Sequence, residues 1–132
     1  KMSAFSNYME EKVVEHFLRN NTVASPATVY LALFESDPGE DASGTETSYV
    51  SYGRQATTWT ALDGNGQTKN DSTVAFQPNG NASASVTITH AAVYDSVTGG
   101  NMLIKGPLAA TKTLAIGDVL SFQANALTLT LD

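Results

Sequence analysis

The sequence predicts a mainly β protein, an antiparallel β-sandwich of about seven strands with one N-terminal α-helix packed against it. Three observations carry that prediction. Short strand-like runs are separated by turn signals about every 8 to 15 residues. Charged residues make up only 15% of the chain, well below the usual quarter, and Thr, Ser, Asn, Ala and Gly fill the difference, which suits short strands and tight turns. A helical period occurs in one place only, near the N-terminus.

Residues 3–19 read as that helix. Phe5, Met9, Val13 and Phe17 recur at four-residue spacing and are joined by Tyr8, while Glu10, Glu11, Lys12 and Glu15 lie mostly on the other side. Ser3 or Ser6 can cap its start, Arg19 suits its C-terminal dipole, and Asn20 and Asn21 break the pattern. Met9, Val13 and Phe17 are expected to bury against the protein's own sheet. Pro26 marks the start of the next element, because it cannot donate to a ladder. Residues 28–34 are almost all apolar without alternation, as in a strand covered on both faces. A sheet-pair core is expected on one face and the helix on the other. Residues 35–48 form a long, polar, acidic loop.

Residues 52–62 are strand-like, rich in Thr, with Trp59 central; 63–70 is a Gly- and Asn-rich turn; 73–76 is a short strand. From Ser85 to Tyr94 the alternation is clean, placing Val86, Ile88, His90, Ala92 and Tyr94 on one face. An Asp-initiated turn with Gly99-Gly100 leads to a return strand at 102–107. Gly117-Asp118 is a turn between strands at 111–114 and 119–122. The last strand, 126–131, points Leu127, Leu129 and Leu131 inward. No repeat, heptad stretch or second composition zone divides the chain, so residues 1–132 read as a single domain, a 3–19 helix followed by a 28–132 sandwich.

A net charge of -6 argues against a nucleic-acid groove and against docking on an anionic membrane. No apolar run approaches the roughly 20 residues of a membrane span. Met2 reads as the natural start, and nothing after it reads as a signal peptide. The absence of cysteine excludes disulfides and thiolate metal sites.

The chemical candidates each have a structural alternative. His90 lies on the apolar register, and Asp95 is at the opposite parity, so a half-buried histidine with a local partner is preferred over a catalyst. His16 is the other histidine, and the two lack metal-ligand spacing. Asp37, Glu40 and Asp41, or Asp63, Asn65 and Asp71, could collect round calcium, but the loops lack the EF-hand pattern and read as solvated charge. No nucleophile elbow and no phosphate loop is present. Trp59, Tyr49, Tyr52 and Tyr94 could form a sugar platform, with core packing the alternative for Trp59. No catalytic, cofactor-binding or metal-ligating residue is therefore assigned, and no cofactor is expected.

Three blocks carry a resemblance: SNYMEEKVVEHFLRN with PATVYLALFESDP; TETSYVSYGRQATTW; and ITHAAVYDSVTGGNMLIKGPLAATKTLAIGDVLSFQANALTLTLD. In that order they resemble a family of small tailed-bacteriophage virion structural proteins, often labelled tail-fibre-like. The resemblance implies a non-enzymatic virion part, assembled in the host cytoplasm, that associates with copies of itself or with neighbouring major capsid or tail proteins; the charge argues against nucleic-acid and membrane partners. The chain has neither the repeats nor the coiled coil of a fibre shaft. Capsid decoration or cementing, or a small tail accessory role, is the expected function, and a host-surface carbohydrate-binding tail module is the alternative. The expected contact residues are Met2, Ala4 and Phe5 in the segment 2–18, and Tyr49 and Tyr52 beside the loops 35–49 and 63–82.

Overall fold

The structure is a computed structural model and describes residues 4–131. In chain order its elements are β1 (Ala4–Phe5), α1 (Asn7–Val13) continuing as a π-helical turn (Val14–Leu18), β2 (Val29–Phe34), β3 (Gln55–Thr57), β4 (Gln67–Lys69), β5 (Val74–Ala75), β6 (Val86–Tyr94), β7 (Met102–Leu114), β8 (Ser121–Phe122) and β9 (Thr128–Thr130). One layer is a five-stranded antiparallel sheet in the order β1-β7-β6-β2-β3. The other is made of two antiparallel ribbons, β4-β9 and β5-β8. The predicted mainly β, antiparallel architecture with one N-terminal helix is thus present, with a second layer of paired short strands rather than one continuous sheet.

The core between the layers follows from strand parity. Leu31 and Leu33 of β2, Ile88, Ala91 and Val93 of β6, and Ile104 and Leu114 of β7 meet Val74, Phe76, Leu120 and Leu127 from the ribbons. Leu129 and Leu131 pack against the same cluster, as the alternation of the last strand predicts. The opposite face of β2 and β6 carries a second cluster, Ala32, Phe34, Ala92 and Tyr94, with Met102 from β7.

The cover of that second face corrects the sequence reading, which assigned it to the helix. Ala42 packs on it, and Pro38 is fully buried, so the acidic loop after β2 lies here. That loop is tied down at several points. Glu35 N–H donates to Thr45 O at 2.8 Å, Thr47 N–H donates to Leu33 O at 2.9 Å, and Phe34 bridges Glu46. Lys105 Nζ reaches Asp37 Oδ1 at 2.9 Å, joining the loop to β7. A Cβ on Gly44 would lie 2.4 Å from Asp37 O, so the chain can cross itself here only at glycine.

The helix is bolted at its start and at most half-buried along its body. Ser6 is its N-cap and accepts from Met9 N–H at 3.0 Å. Ser6 also donates through its backbone to Leu103 O at 3.0 Å, and Asn7 N–H donates to Glu40 O at 2.9 Å. No residue of α1 or of its π-helical continuation is buried, and Phe17 is 75% exposed. The expectation that Phe17 packs on the protein's own sheet is therefore overturned. A helix of this length reaches β7 with one end, and the loop already fills the face it was assigned.

The β6–β7 pair holds a further correction. Register jumps between Ile88, opposite Lys112, and His90, opposite Pro107. This bulge reverses the parity of β6, so Ile88 shares the inter-layer face with Ala91 and Val93, while Ala92 and Tyr94 point to the other. The two strands expected at 102–107 and 111–114 are one bulged strand, β7. At the other end, Gly99 and Gly100 have φ +59° and +69°, as the hairpin turn requires. Asp95 Oδ1 accepts Asn101 N–H there at 2.7 Å.

Candidate interaction surface

Several aspartates are engaged in holding loops. Asp63 Oδ1 accepts Asn65 N–H at 2.8 Å and Gln67 N–H at 3.0 Å, and these bonds hold its carboxyl below the usual range. The bond from Gly39 N–H, followed by that from Lys105, does the same for Asp37, and bonds from Ser43 do so for Asp41. These carboxylates close turns at Asx positions. Among the described residues, no three His, Asp or Glu side chains are placed to share a cation. His90 is half-buried, and its Nδ1 lies 2.8 Å from Thr89 Oγ1. His16 Nδ1 accepts Val23 N–H at 3.2 Å and helps end the helix.

The second cluster is closed by a charged network. Arg54 places Nε 2.9 Å from Glu46 Oε2 and Nη2 2.8 Å from Glu46 Oε1, a two-pronged pair. Its Nη1 donates to Ser96 O at 2.9 Å and Gly99 O at 2.7 Å, and its guanidinium carbon stands 3.7 Å from the Tyr94 ring centroid. One side chain thus joins β3, the acidic loop and the β6–β7 hairpin. Burial would lower the arginine's pKa, but the bonded Glu46 carboxylate outweighs it and raises it. Tyr52 donates to Glu46 Oε2 at 2.6 Å and accepts Leu33 N–H at 3.1 Å; burial first, and that carboxylate second, push its phenol up.

The expected contact residues are dispersed. Met2 lies outside the described residues. Ala4 pairs through its backbone with Lys105, and Phe5 pairs with Ile104 and packs against the core. Tyr49 is only 4% exposed and donates to Gln77 O at 2.7 Å, and Tyr52 is bound into the Glu46 network. Neither tyrosine leaves its ring free for a partner. Trp59 Nε1 donates to Thr57 Oγ1 at 3.0 Å, and its ring packs against the inter-layer core.

Exposed apolar side chains are scattered over the loops at Val50, Leu62, Val97, Ile116 and Val119, and three lie together on the helix. Val14, Phe17 and Leu18 are 43%, 75% and 78% exposed. Beside them runs a groove of about 540 Å³ between the helix and the segment 23–26, with Tyr8, Met9, Val13, Pro26 and Leu103 among its walls. Lys12 Nζ sits over the Tyr8 ring at 5.3 Å from its centroid. Segment 2–18 was singled out from the sequence, but for its first residues. Val14 and Leu18 were missed, although both fall off the i, i+4 row of Met9, Val13 and Phe17 and so had no place on the inward stripe. Two further residues were missed altogether. Asn70 and Asn79 are buried, and their amides satisfy carbonyls of loops and of the end of β7: Asn70 Nδ2 donates to Ser72 O and Gln123 O, each at 2.9 Å, and Asn79 Nδ2 to Leu114 O at 2.9 Å.

Compared with known proteins, residues 4–130 match the family model described as podophage GP4 fiber I protein gp80. No curated protein matches the chain.

Proposed function

We infer, from the premise that this chain belongs to the family of the podophage GP4 fiber I protein gp80, that it is a non-enzymatic structural part of the virion. Within the particle it is a small accessory of the tail, held by protein–protein contacts to neighbouring virion proteins. The word fiber in the family's description supports the tail over decoration or cementing of the capsid shell. The observation that carries the contact reading is the helix with no buried residue, whose Phe17 and Leu18 face solvent beside an apolar groove. Exposed apolar area of this kind, rimmed by polar groups, is what a docking element presents.

The non-enzymatic reading is supported by the use of the ionisable groups. Glu46, Arg54, Asp37 and Asp63 are each bonded to a loop or a counter-charge. The tyrosines and tryptophan that a saccharide platform would need are turned to the core or into the Glu46 network. The test is copy counting by mass spectrometry of purified particles, with antibody labelling in electron micrographs. Roughly 3 to 18 copies, labelled at the tail, are expected for a symmetric tail part. Hundreds of copies distributed over the head would overturn the tail assignment, and absence from the particle would overturn the structural role.

A further inference from the structure

Asparagine followed by glycine occurs twice in the chain, at Asn65-Gly66 and Asn79-Gly80. The dipeptide carries a latent reaction, because no Cβ on the glycine shields its amide nitrogen from the side-chain carbonyl carbon of the preceding asparagine. The fold treats the two copies oppositely. Asn79 is 1% exposed, and its side chain is fully engaged. Its Nδ2 donates to Leu114 O at 2.9 Å and to Ala84 O at 3.2 Å, and its Oδ1 accepts Asn81 N–H at 2.9 Å. The nitrogen that would attack, that of Gly80, donates to Val50 O at 3.0 Å. Turning the Asn79 carboxamide onto that nitrogen breaks several bonds at once, in a buried setting.

Asn65 is exposed, and its carboxamide makes no hydrogen bond to any described residue. Gly66 N–H closes the turn onto Asp63 O at 3.2 Å, a long bond at a loop tip, of the kind that opens readily. Gly66 is itself required by the fold. Its φ is +74°, and a Cβ there would lie 2.7 Å from Leu131 O, at the end of the β4-β9 ribbon where Leu131 N–H donates to Gly66 O at 2.8 Å. The ribbon therefore keeps, directly after an unrestrained asparagine, the residue that hinders attack least.

We propose that Asn65 is a site of spontaneous covalent modification, deamidation to aspartate and isoaspartate, and that folding selects it over Asn79. The Gly66 amide nitrogen gives its proton to hydroxide and bonds to Asn65 Cγ. The Cγ–Nδ2 bond breaks, ammonia leaves, and a succinimide ring closes. Water then opens the ring. Cleavage between the nitrogen and Cγ gives aspartate. Cleavage between the nitrogen and the main-chain carbonyl carbon of residue 65 gives isoaspartate, whose backbone runs through Cγ and is longer by a methylene. The net reaction consumes water, releases ammonia and adds a negative charge beside Asp63, in a chain whose net charge is already -6. The isoaspartate form also lengthens a loop whose ends are pinned by Asp63 Oδ1 to Gln67 N–H at 3.0 Å and by Gly66 O to Leu131 N–H.

The experiment is ageing of the full chain at mildly alkaline pH and physiological temperature, folded and in urea, followed by peptide mapping with fragmentation that separates isoaspartate from aspartate. In the folded protein, conversion at Asn65 is expected to be at least about tenfold faster than at Asn79, and in urea the two rates are expected to agree within about threefold. Asn65→Gln, whose longer side chain closes the corresponding ring slowly, is expected to remove the acidic species that accumulates in the folded wild type and to leave the circular dichroism unchanged. Asn65 intact in the folded protein while it converts in urea would overturn the proposal, because the turn would then protect it. Equal rates at Asn65 and Asn79 in the folded protein, or an acidic species that persists in Asn65→Gln, would overturn it as well.

Discussion

Removing the Glu46 carboxylate would leave the Arg54 guanidinium under the hairpin without its counter-charge. Arg54's side chain is 8% exposed, so water cannot replace the lost partner. Glu46→Ala is therefore expected to cost about 3 to 5 kcal/mol in chemical denaturation, the range for breaking one side of a buried pair. A loss under about 1 kcal/mol would show that the pair is solvated. Arg54→Lys would not restore the network, because an ammonium cannot serve both carboxylate oxygens, two carbonyls and the Tyr94 face together. Gly100 is the other residue with a decisive local role. Its φ is +69°, and a Cβ there would lie 2.5 Å from Asp95 Oδ1 and 2.6 Å from Ser96 Cβ. Gly100→Ala is expected to destabilise by more than about 1 kcal/mol, read as a lowered denaturation midpoint. The Gly-Gly turn was legible from the sequence because its backbone requirement is local. The Glu46–Arg54 pair was not, since opposite charges eight residues apart in a loop have no periodicity to mark them.

At the scale of elements, the contrast between two phenylalanines separates the helix from the sheet. Phe34 in β2 is 1% exposed and Phe17 in the helix is 75% exposed. Phe34→Ala is expected to cost about 3 to 5 kcal/mol, and Phe17→Ala less than about 0.5 kcal/mol in the isolated protein. Equal losses in a pair of denaturation curves would contradict the placement of the helix. The apolar run of β2 correctly announced a strand covered on both sides. What covered it was misjudged, because a polar, acidic loop carries no hydrophobic signal, while the helical stripe carries a strong one. The bulge between Ile88 and His90 was equally hidden. Strict alternation holds over Val86 to Tyr94 in the sequence, and only pairing with β7 reveals that an excursion on the partner strand reverses the face.

For the whole molecule, the turn carboxylates contribute to the response to acid. Asp37, Asp41 and Asp63 have folded pKa values below the ordinary value of 3.8. A depressed carboxyl contributes stability that is present above its unfolded pKa and lost as pH falls through the folded one. Denaturant midpoints are thus expected to be flat with respect to these groups from neutral pH to about 5 and to fall below about pH 4; a rise on acidification through that window would contradict the assignment. Across the chain, what depends on neighbours along the backbone is readable from residue order alone: the strand-rich class, the glycine turns, the capping serine, the inward leucines of the last strand and the resemblance that the family match supports. Which surfaces meet emerges only on folding. Folding put the acidic loop over the second cluster, turned Tyr49 and Tyr52 inward, buried Asn70 and Asn79 among backbone carbonyls, and left Val14, Phe17 and Leu18 facing out. The physical reason is that hydrophobic burial is non-directional: a pattern fixes which side chains must leave water, whereas their covering partner is selected by chain reach, register and the hydrogen bonds that loops can satisfy.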